Sequence, residues 1–353
     1  PLVERYDGPA TIETYTARFG RDGAAQDGIV IARTPAGQRL MARVSPDDQA
    51  SMSQLLSMER SAVGSEGHVR IDVFGTLIWE TGPMRPRGGR KMEFAKVERE
   101  GPLTTVTINR PDVMNALHPM ANAELAEIFD DFAADPDQWV AIITGAGDKA
   151  FSAGNDLKYT AEAMARGEPL RTPTSGFAGL TARFDLDKPV IAAVNGLAMG
   201  GGFEIALACD LIIAEENAIF SLPEPKVGLA ALAGGLHRLP RTIGLKRAMG
   251  MILTGRRASA QEGVELGFVN EVVPAGEVMA VARRWAQDIL ACSPMSIRAS
   301  KQTAHRGLDE PSLETAYRGQ DAYPAIKALF KSADVREGPL AFAEKRAPKW
   351  IGK

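Results

Sequence analysis

Branched or aromatic residues alternate with polar ones over residues 10–19. Such a period of two marks a half-buried β-strand. Residues 28–33 and 38–44 repeat the pattern, joined by Thr34-Pro35-Ala36-Gly37, and Arg21-Asp22-Gly23 turns the chain before them. Ser45-Pro46-Asp47-Asp48 predicts a helix start, with Ser45 or Asp47 as N-cap and the helix reaching about Met58. Residues 69–78 return to strand. Short strands with one helix predict a small OB-like β domain over residues 1–80. Residues 81–91 carry proline, glycine and four cations, cannot build a core, and read as a linker.

From Met92 the pattern becomes α/β. Residues 94–99 and 103–108 predict a hairpin across Glu100-Gly101-Pro102, ended by Asn109-Arg110-Pro111. Residues 119–133 have helical period, with Leu125, Ile128, Phe129 and Phe132 on one face. Residues 139–144 and 190–194 are apolar runs of buried-strand length. Each leads towards a glycine-containing turn, 151–158 after the first and Gly200-Gly201-Gly202 after the second. Helical spacing resumes at Phe203, Ile205, Ala206, Leu207 and Cys209. Residues 277–291 and 312–331 are helical by period. The expected divisions are an α/β core over 92–275 and a helical region over 276–353.

The triple glycine therefore opens a helix. Free N–H groups and the helix dipole there favour a negatively charged ligand atom. Glu204 falls in the first helical turn, and Glu224 follows the short apolar run 218–222. An anion-stabilising turn with two carboxylates nearby suits chemistry through an enolate. A glycine triplet alone is a weak signal, and a glutamate in a first helical turn commonly serves the dipole. The combination gains force from the second turn at 151–158.

Composition narrows the classes. The 353 residues are 45% hydrophobic and 24% charged, with net charge −3. Residues 1–90 hold eleven Arg and no Lys against eleven Asp plus Glu. Neither balance argues for nucleic acid or a membrane surface. The apolar runs are shorter than a bilayer span, no signal peptide is evident, and a cytoplasmic location is expected. Cys209 and Cys292 are expected to be buried thiols inside helices. No Cys/His spacing suggests a metal site, and His68, His118 and His305 have no partner at meaningful spacing.

Four segments occur in order: Asn109-Arg110-Pro111 with Asn115-Ala116-Leu117; Phe151-Ser152-Ala153-Gly154-Asn155-Asp156-Leu157; Gly200-Gly201-Gly202-Phe203-Glu204; and Pro223-Glu224 with Val227-Gly228-Leu229, followed by Thr254-Gly255-Arg256, Gly267-Phe268-Val269 and Phe342-Ala343-Glu344-Lys345-Arg346. This set resembles the crotonase (enoyl-CoA hydratase/isomerase) superfamily over residues 92–353. The resemblance implies a crotonase fold of repeated β-β-α units with a C-terminal helical oligomerisation region. It implies an oxyanion hole formed by the backbone N–H groups of Asn155 and Gly201. Glu224 would give a proton to C2 of a 2-enoyl-CoA, and Glu204 would position and deprotonate the water that attacks C3. Ala153, Asp156, Leu157, Lys158 and Gly200 would line the substrate or CoA. Phe342 and Lys345 would close over CoA from a neighbouring subunit of a homotrimer or hexamer. No separate cofactor or metal is implied, because CoA is part of the substrate. Trp285, Ile289, Leu290, Ile326, Leu329 and Phe330 offer apolar faces for assembly or for the monomer core.

Residues 8–16 and 27–33 resemble the accessory C-terminal domain of thiolase-like proteins, which implies a thiolase-like or other acyl-CoA enzyme as a possible partner. Residues 229–235, followed by His237, replace the Pro-Gly turn of straight-chain hydratases and would border the acyl pocket. His237 is expected to be a structural hydrogen-bonder. Retention of both glutamates implies an enoyl-CoA hydratase. The alternatives are another crotonase reaction, such as an isomerase or a carnitinyl-CoA-type dehydratase, and a non-catalytic acyl-CoA-binding assembly subunit.

Overall fold

The computed structural model describes residues 2–57, 59–82 and 92–353. The chain forms two compact units, Pro1–Arg90 and Lys91–Lys353.

In the first unit the alternating segments become β1 (Gly8–Phe19), β2 (Ala25–Arg33) and β3 (Arg39–Val44), then α1 (Gln49–Leu56), β4 (Glu66–Ile71) and β5 (Leu77–Thr81). They close into a barrel in the order β1-β2-β3-β5-β4, with β4 returning to pair with the start of β1. A register shift between Ile12 and Thr14 bends β1 so that it can serve both neighbours. Trp79, Ile12, Leu40, Val30, Val44 and Val69 fill the interior. Backbone approach is closest under Trp79, where a side chain on Gly67 would overlap the indole. Asp27 is buried between the guanidinium groups of Arg18 and Arg43.

Three details differ from the sequence reading. Residues 69–78 are two strands rather than one. Asp72 Oδ1 accepts from the N–H groups of Phe74 (2.9 Å) and Thr76 (2.7 Å), and Gly75 takes φ 76°, which closes a tight turn. Asp48 caps α1, accepting from the N–H of Ser51, where Ser45 or Asp47 was expected. Thr81, expected in the linker, ends β5, and residues 83–91 of that linker lie outside the described residues.

The second unit opens with the hairpin β6 (Ala95–Glu100) and β7 (Leu103–Ile108), then α2 (Pro119–Ala134). A repeating unit follows. β8 (Val140–Gly145), β9 (Ala150–Ser152) and α3 (Leu157–Ala165) form the first copy. β10 (Val190–Val194), β11 (Leu197–Met199) and α4 (Gly201–Ala208) form the second. β12 (Leu211–Glu215), β13 (Ile219–Ser221), α5 (Gly235–Ile243), α6 (Leu245–Thr254), β14 (Ala258–Ser259), α7 (Ala260–Leu266) and β15 (Glu271–Val273) complete the spiral. The long strands make a sheet in the order β15-β12-β10-β8-β7-β6, and the short ones a second sheet, β14-β13-β11-β9. Strands β10 and β8 are buried on both faces, which is why they read as continuous apolar runs. The second unit has the repeated β-β-α arrangement that the family resemblance implies, and the first is a small β barrel.

α8 (Val278–Leu290) lays Val278, Ala282 and Ala286 on the far side of the large sheet, against Ile142, Ile191 and Ile213. α9 (Pro294–Asp309), α10 (Leu313–Gly319), α11 (Pro324–Lys331) and α12 (Asp334–Ala343) follow. The span 312–331 is thus broken, because Tyr323 is extended before Pro324. Trp285, Ile289 and Leu290 pack on the monomer core, whereas Phe330 is exposed. Neither cysteine sits inside a helix. Cys209 is the C-cap of α4, and Cys292 is exposed in the turn where Ser293 and Pro294 restart the chain as α9. No helix among the described residues is long and apolar enough to cross a membrane.

Trp79→Ala should destabilise the barrel by about 3–5 kcal/mol, the usual loss for a fully buried aromatic. Urea unfolding followed by tryptophan fluorescence and circular dichroism checks this, with the transition of the second unit expected to stay in place.

Candidate active site

Two backbone turns meet at the site. The first follows β9. Its frame is Asn115, whose Nδ2 donates to the carbonyls of Ala146 (3.0 Å) and Ala150 (2.8 Å) and whose Oδ1 accepts from Arg110 N (2.9 Å). Ser152 Oγ donates to Asn115 O (2.8 Å) and accepts from Gly154 N (3.1 Å). Leu117 N donates to Gly154 O and Asp156 N donates to Leu117 O. Arg110 bonds Ala116 O and pairs with Asp156, whose other oxygen accepts from Tyr159 N and caps α3. Residue 155 is thus pinned from both sides. Its N–H donates to no acceptor among the described residues.

The second turn joins β11 to α4. Gly200 has φ 54° and ψ −123°, a conformation essentially reserved for glycine. Its N–H donates to Ser221 O at 2.9 Å. The N–H of Gly201, first in α4, donates to no acceptor among the described residues, as expected for an opening helical residue. The turns are in direct contact. A Cβ on Gly154 would lie 2.6 Å from Met199 O and 2.7 Å from Gly201 N, and one on Gly202 would overlap Ser152 O. The ring of Phe177 lies against Gly201 from the other side.

Both glutamates reach this place. Glu204 is 3% exposed, and its Oε1 accepts from Gly235 N at 2.8 Å. Burial pushes its carboxyl up to about 7, opposed by the Gly235 N–H and reinforced by the charge of Glu224. Glu224 opens the 3-10 turn Glu224–Val227 after β13. Its Oε1 lies beside Gly200, where a Cβ would be 2.8 Å away, and its Oε2 is buried with no hydrogen-bond partner. Burial raises its pKa as well.

The remaining nominated residues divide. Ala153 is half-buried in the first turn, and Leu157 and Lys158 stand exposed at the start of α3. Asp156, nominated for CoA, has its carboxylate engaged by Arg110 and the α3 N-terminus, which is a positioning task. Phe342 is 87% exposed on α12 and Lys345 follows it with φ 55°; that helix packs on α9 and α11. His237 is exposed rather than hydrogen-bonded through its ring. His118, to which the sequence assigned nothing, caps α2 through Nδ1, and His68 bonds Asp7. In the loop 229–235, Leu229 and Leu232 are exposed while Ala231 is buried. Sequence reasoning missed Gly235 as the donor to Glu204, and Asn115, Ser152 and Arg110 as the frame of the first turn. Their signal was present as motif letters without a stated task. Among the described residues no group of three or more His, Cys, Asp and Glu could hold a metal ion.

This geometry accompanies a match of residues 98–353 to the family model described as enoyl-CoA hydratase/isomerase. The chain belongs to the enoyl-CoA hydratase/isomerase family. Residues 1–73 match the thiolase-like protein type 1 additional C-terminal domain. The family unit is 46% identical over 266 residues to a carnitinyl-CoA dehydratase of Salmonella typhi, which spans 74% of this chain and 99% of that protein. A crystal structure of enoyl-CoA hydratase from Mycobacterium tuberculosis H37Rv aligns with TM-score 0.68 and 38% identity, covering 74% of this chain and 99% of that one. Carnitinyl-CoA hydratase from Mycobacterium avium aligns with TM-score 0.58 and 43% identity, covering 74% and 100%.

Glu204 binds its proton more tightly folded, at about 7, than at the ordinary 4.5. The native state therefore holds the extra proton between those values, and stability falls as pH rises through that window. The loss is on the order of 3 kcal/mol. Glu204→Gln, which keeps the acceptor for Gly235, should be more stable than wild type at pH 8 and nearly equal to it at pH 4.5, as read by denaturant unfolding at both pH values.

Proposed function

We propose that this protein is a hydro-lyase that moves water reversibly and syn across C2=C3 of a CoA thioester. The observation that carries the reading is a buried carboxylate, Glu204, and a half-buried one, Glu224 with its Oε2 enclosed, beside two touching backbone turns whose N–H groups have no acceptor among the described residues. The N–H groups of Asn155 and Gly201 receive the thioester oxygen as it becomes an enolate, contributing roughly 3–4 kcal/mol each. In the hydration direction Glu204, ionised, takes a proton from the water that adds to C3. Glu224, protonated, delivers a proton to C2; its partnerless Oε2 is the oxygen free for this. Dehydration reverses both transfers. Burial of both groups, with the charge of Glu224 acting on Glu204, disfavours two carboxylates at once and favours a pair that holds one proton.

For the acyl group, identity to the carnitinyl-CoA dehydratase over nearly its whole length favours a carnitinyl-type 3-hydroxyacyl-CoA over a plain straight chain. Ala153, Leu157 and Lys158 border the thioester and CoA end, with Lys158 free to meet phosphate as a point charge. The exposed Phe342 and Lys345 suit contact with the CoA of a neighbouring subunit in a trimer or hexamer, and the barrel suits docking to a thiolase-like partner.

Enone absorbance tests both parts. Carnitinyl-CoA should be dehydrated with kcat/KM about tenfold or more above 3-hydroxybutyryl-CoA; equal values would assign a plain enoyl-CoA hydratase. Glu224→Gln should lower kcat by roughly 10²–10⁴-fold with either substrate. For hydration, kcat/KM should fall as pH drops below about 7, because Glu204 then gains the proton it must lack.

A further inference from the structure

Arg238 lies one helical turn beyond the glycine pair that serves Glu204. Its guanidinium is half-buried and forms no ion pair among the described residues. Nη1 lies directly on Gly234, where a Cβ would overlap it, and Gly234 holds φ 104°. Nη2 donates to Thr181 O at 2.9 Å. The next residue, Gly235, gives its N–H to Glu204 Oε1, and a Cβ there would lie 3.0 Å from Glu204 Cγ. On the other side, Thr181 Oγ1 accepts from Phe177 N at 2.8 Å, and the Phe177 ring rests on Gly201. Arg238 is therefore bonded to the segment that seats Gly201 while pressed on the turn that seats Glu204.

A guanidinium suits both tasks. Its planar fork holds two segments in fixed relation, and its charge stays positive. Half-burying that charge carries a penalty that no carboxylate within ion-pair distance offsets. The charges facing Glu204 are Glu224 from the 3-10 turn and Arg238 from α5, and Cys209 and Arg241 face Arg238. Arg238 and Glu224 thus bias the Glu204 proton in opposite directions.

Building on the proposed hydro-lyase reading, we propose that Arg238 is a positioning residue: it locks the Gly234–Gly235 turn on Glu204 to the Phe177–Thr181 segment on Gly201. The test uses full-length wild type, Arg238→Met and Arg238→Lys, assayed by hydration of crotonyl-CoA, with ¹³C-glutamate NMR titration of Glu204 assigned through Glu204→Gln. Arg238→Met should lose about 10–100-fold in kcat with KM within about threefold. Its Glu204 carboxylate, and with it the acid limb of kcat/KM, should titrate about half a pH unit or more higher, because a neighbouring cation has gone. Arg238→Lys should restore the titration while remaining impaired in kcat, since ammonium supplies charge without the fork. A titration unmoved in Arg238→Met, or a kcat within twofold of wild type, overturns the proposal. If Arg238→Met does not fold, Arg238→Lys decides alone: wild-type kcat overturns the proposal, and reduced kcat with unshifted titration supports it. If wild type turns over no enoyl-CoA, the hydro-lyase reading falls, and the NMR titration still decides the role of Arg238.

Discussion

Everything at the site depends on two stretches of backbone approaching more closely than any side chain permits. Gly154, Gly200 and Gly202 stand where the turn after β9 meets the start of α4, and a Cβ at any of them would strike a carbonyl, an amide or the Glu224 carboxylate. The close approach leaves two N–H groups without internal acceptors. Gly201 is buried, and an unpaired donor there is costly, so a fold keeps it only where something else fixes the chain. Here the fixing is done at a distance. Asn115 and Ser152 tie the first turn to the β8–β9 connection, Arg110 and Asp156 tie it to α3, and Phe177 presses on the second turn.

The carboxylates impose the second tension. Glu204 and Glu224 are held in surroundings that disfavour two negative charges. The backbone N–H groups of Gly235 and Ala233 and the charge of Arg238 act against burial at Glu204, and no hydrogen-bond partner among the described residues meets Glu224 Oε2. A structure optimised only for stability would pair or remove these groups. The same placement raises the pKa of both carboxyls, that of Glu204 to about 7, and moves them towards the range acid–base chemistry uses.

Much of this was legible in the chain because the relevant signals are local. Period-two alternation gave β1 to β3, continuous apolar runs gave β8 and β10, and Gly200–Gly202 announced the start of α4. The ordered motifs carried the family, and the family and its accessory domain are what the chain matches. Less legible were features decided by single side-chain bonds. The turn at Asp72 split one expected strand into two because its carboxylate bonds two N–H groups, while Val73 and Phe74 look like strand residues. Cys292 looked buried because it follows an apolar helix, yet the cap at Ser293 restarts the chain there and leaves it exposed. Gly235 and Arg238 escaped notice because their partners, Glu204 and Thr181, are 31 and 57 residues away.

The repeat of long strand, short strand and helix has one more consequence. The turns of Asn155 and Gly201 leave β9 and β11, which are adjacent parallel strands of the same small sheet. Neighbouring strands lie about 4.8 Å apart, a spacing set by the peptide hydrogen bond. Two donors held at that spacing would each reach a single oxygen at about 2.9 Å with an angle close to tetrahedral between them. The spacing between the two turns is thus set first by the backbone of the β-sheet, with Gly154, Gly200 and Gly202 keeping the approach clear of side chains. Loops around the two turns can diversify while the spacing between the turns keeps its width.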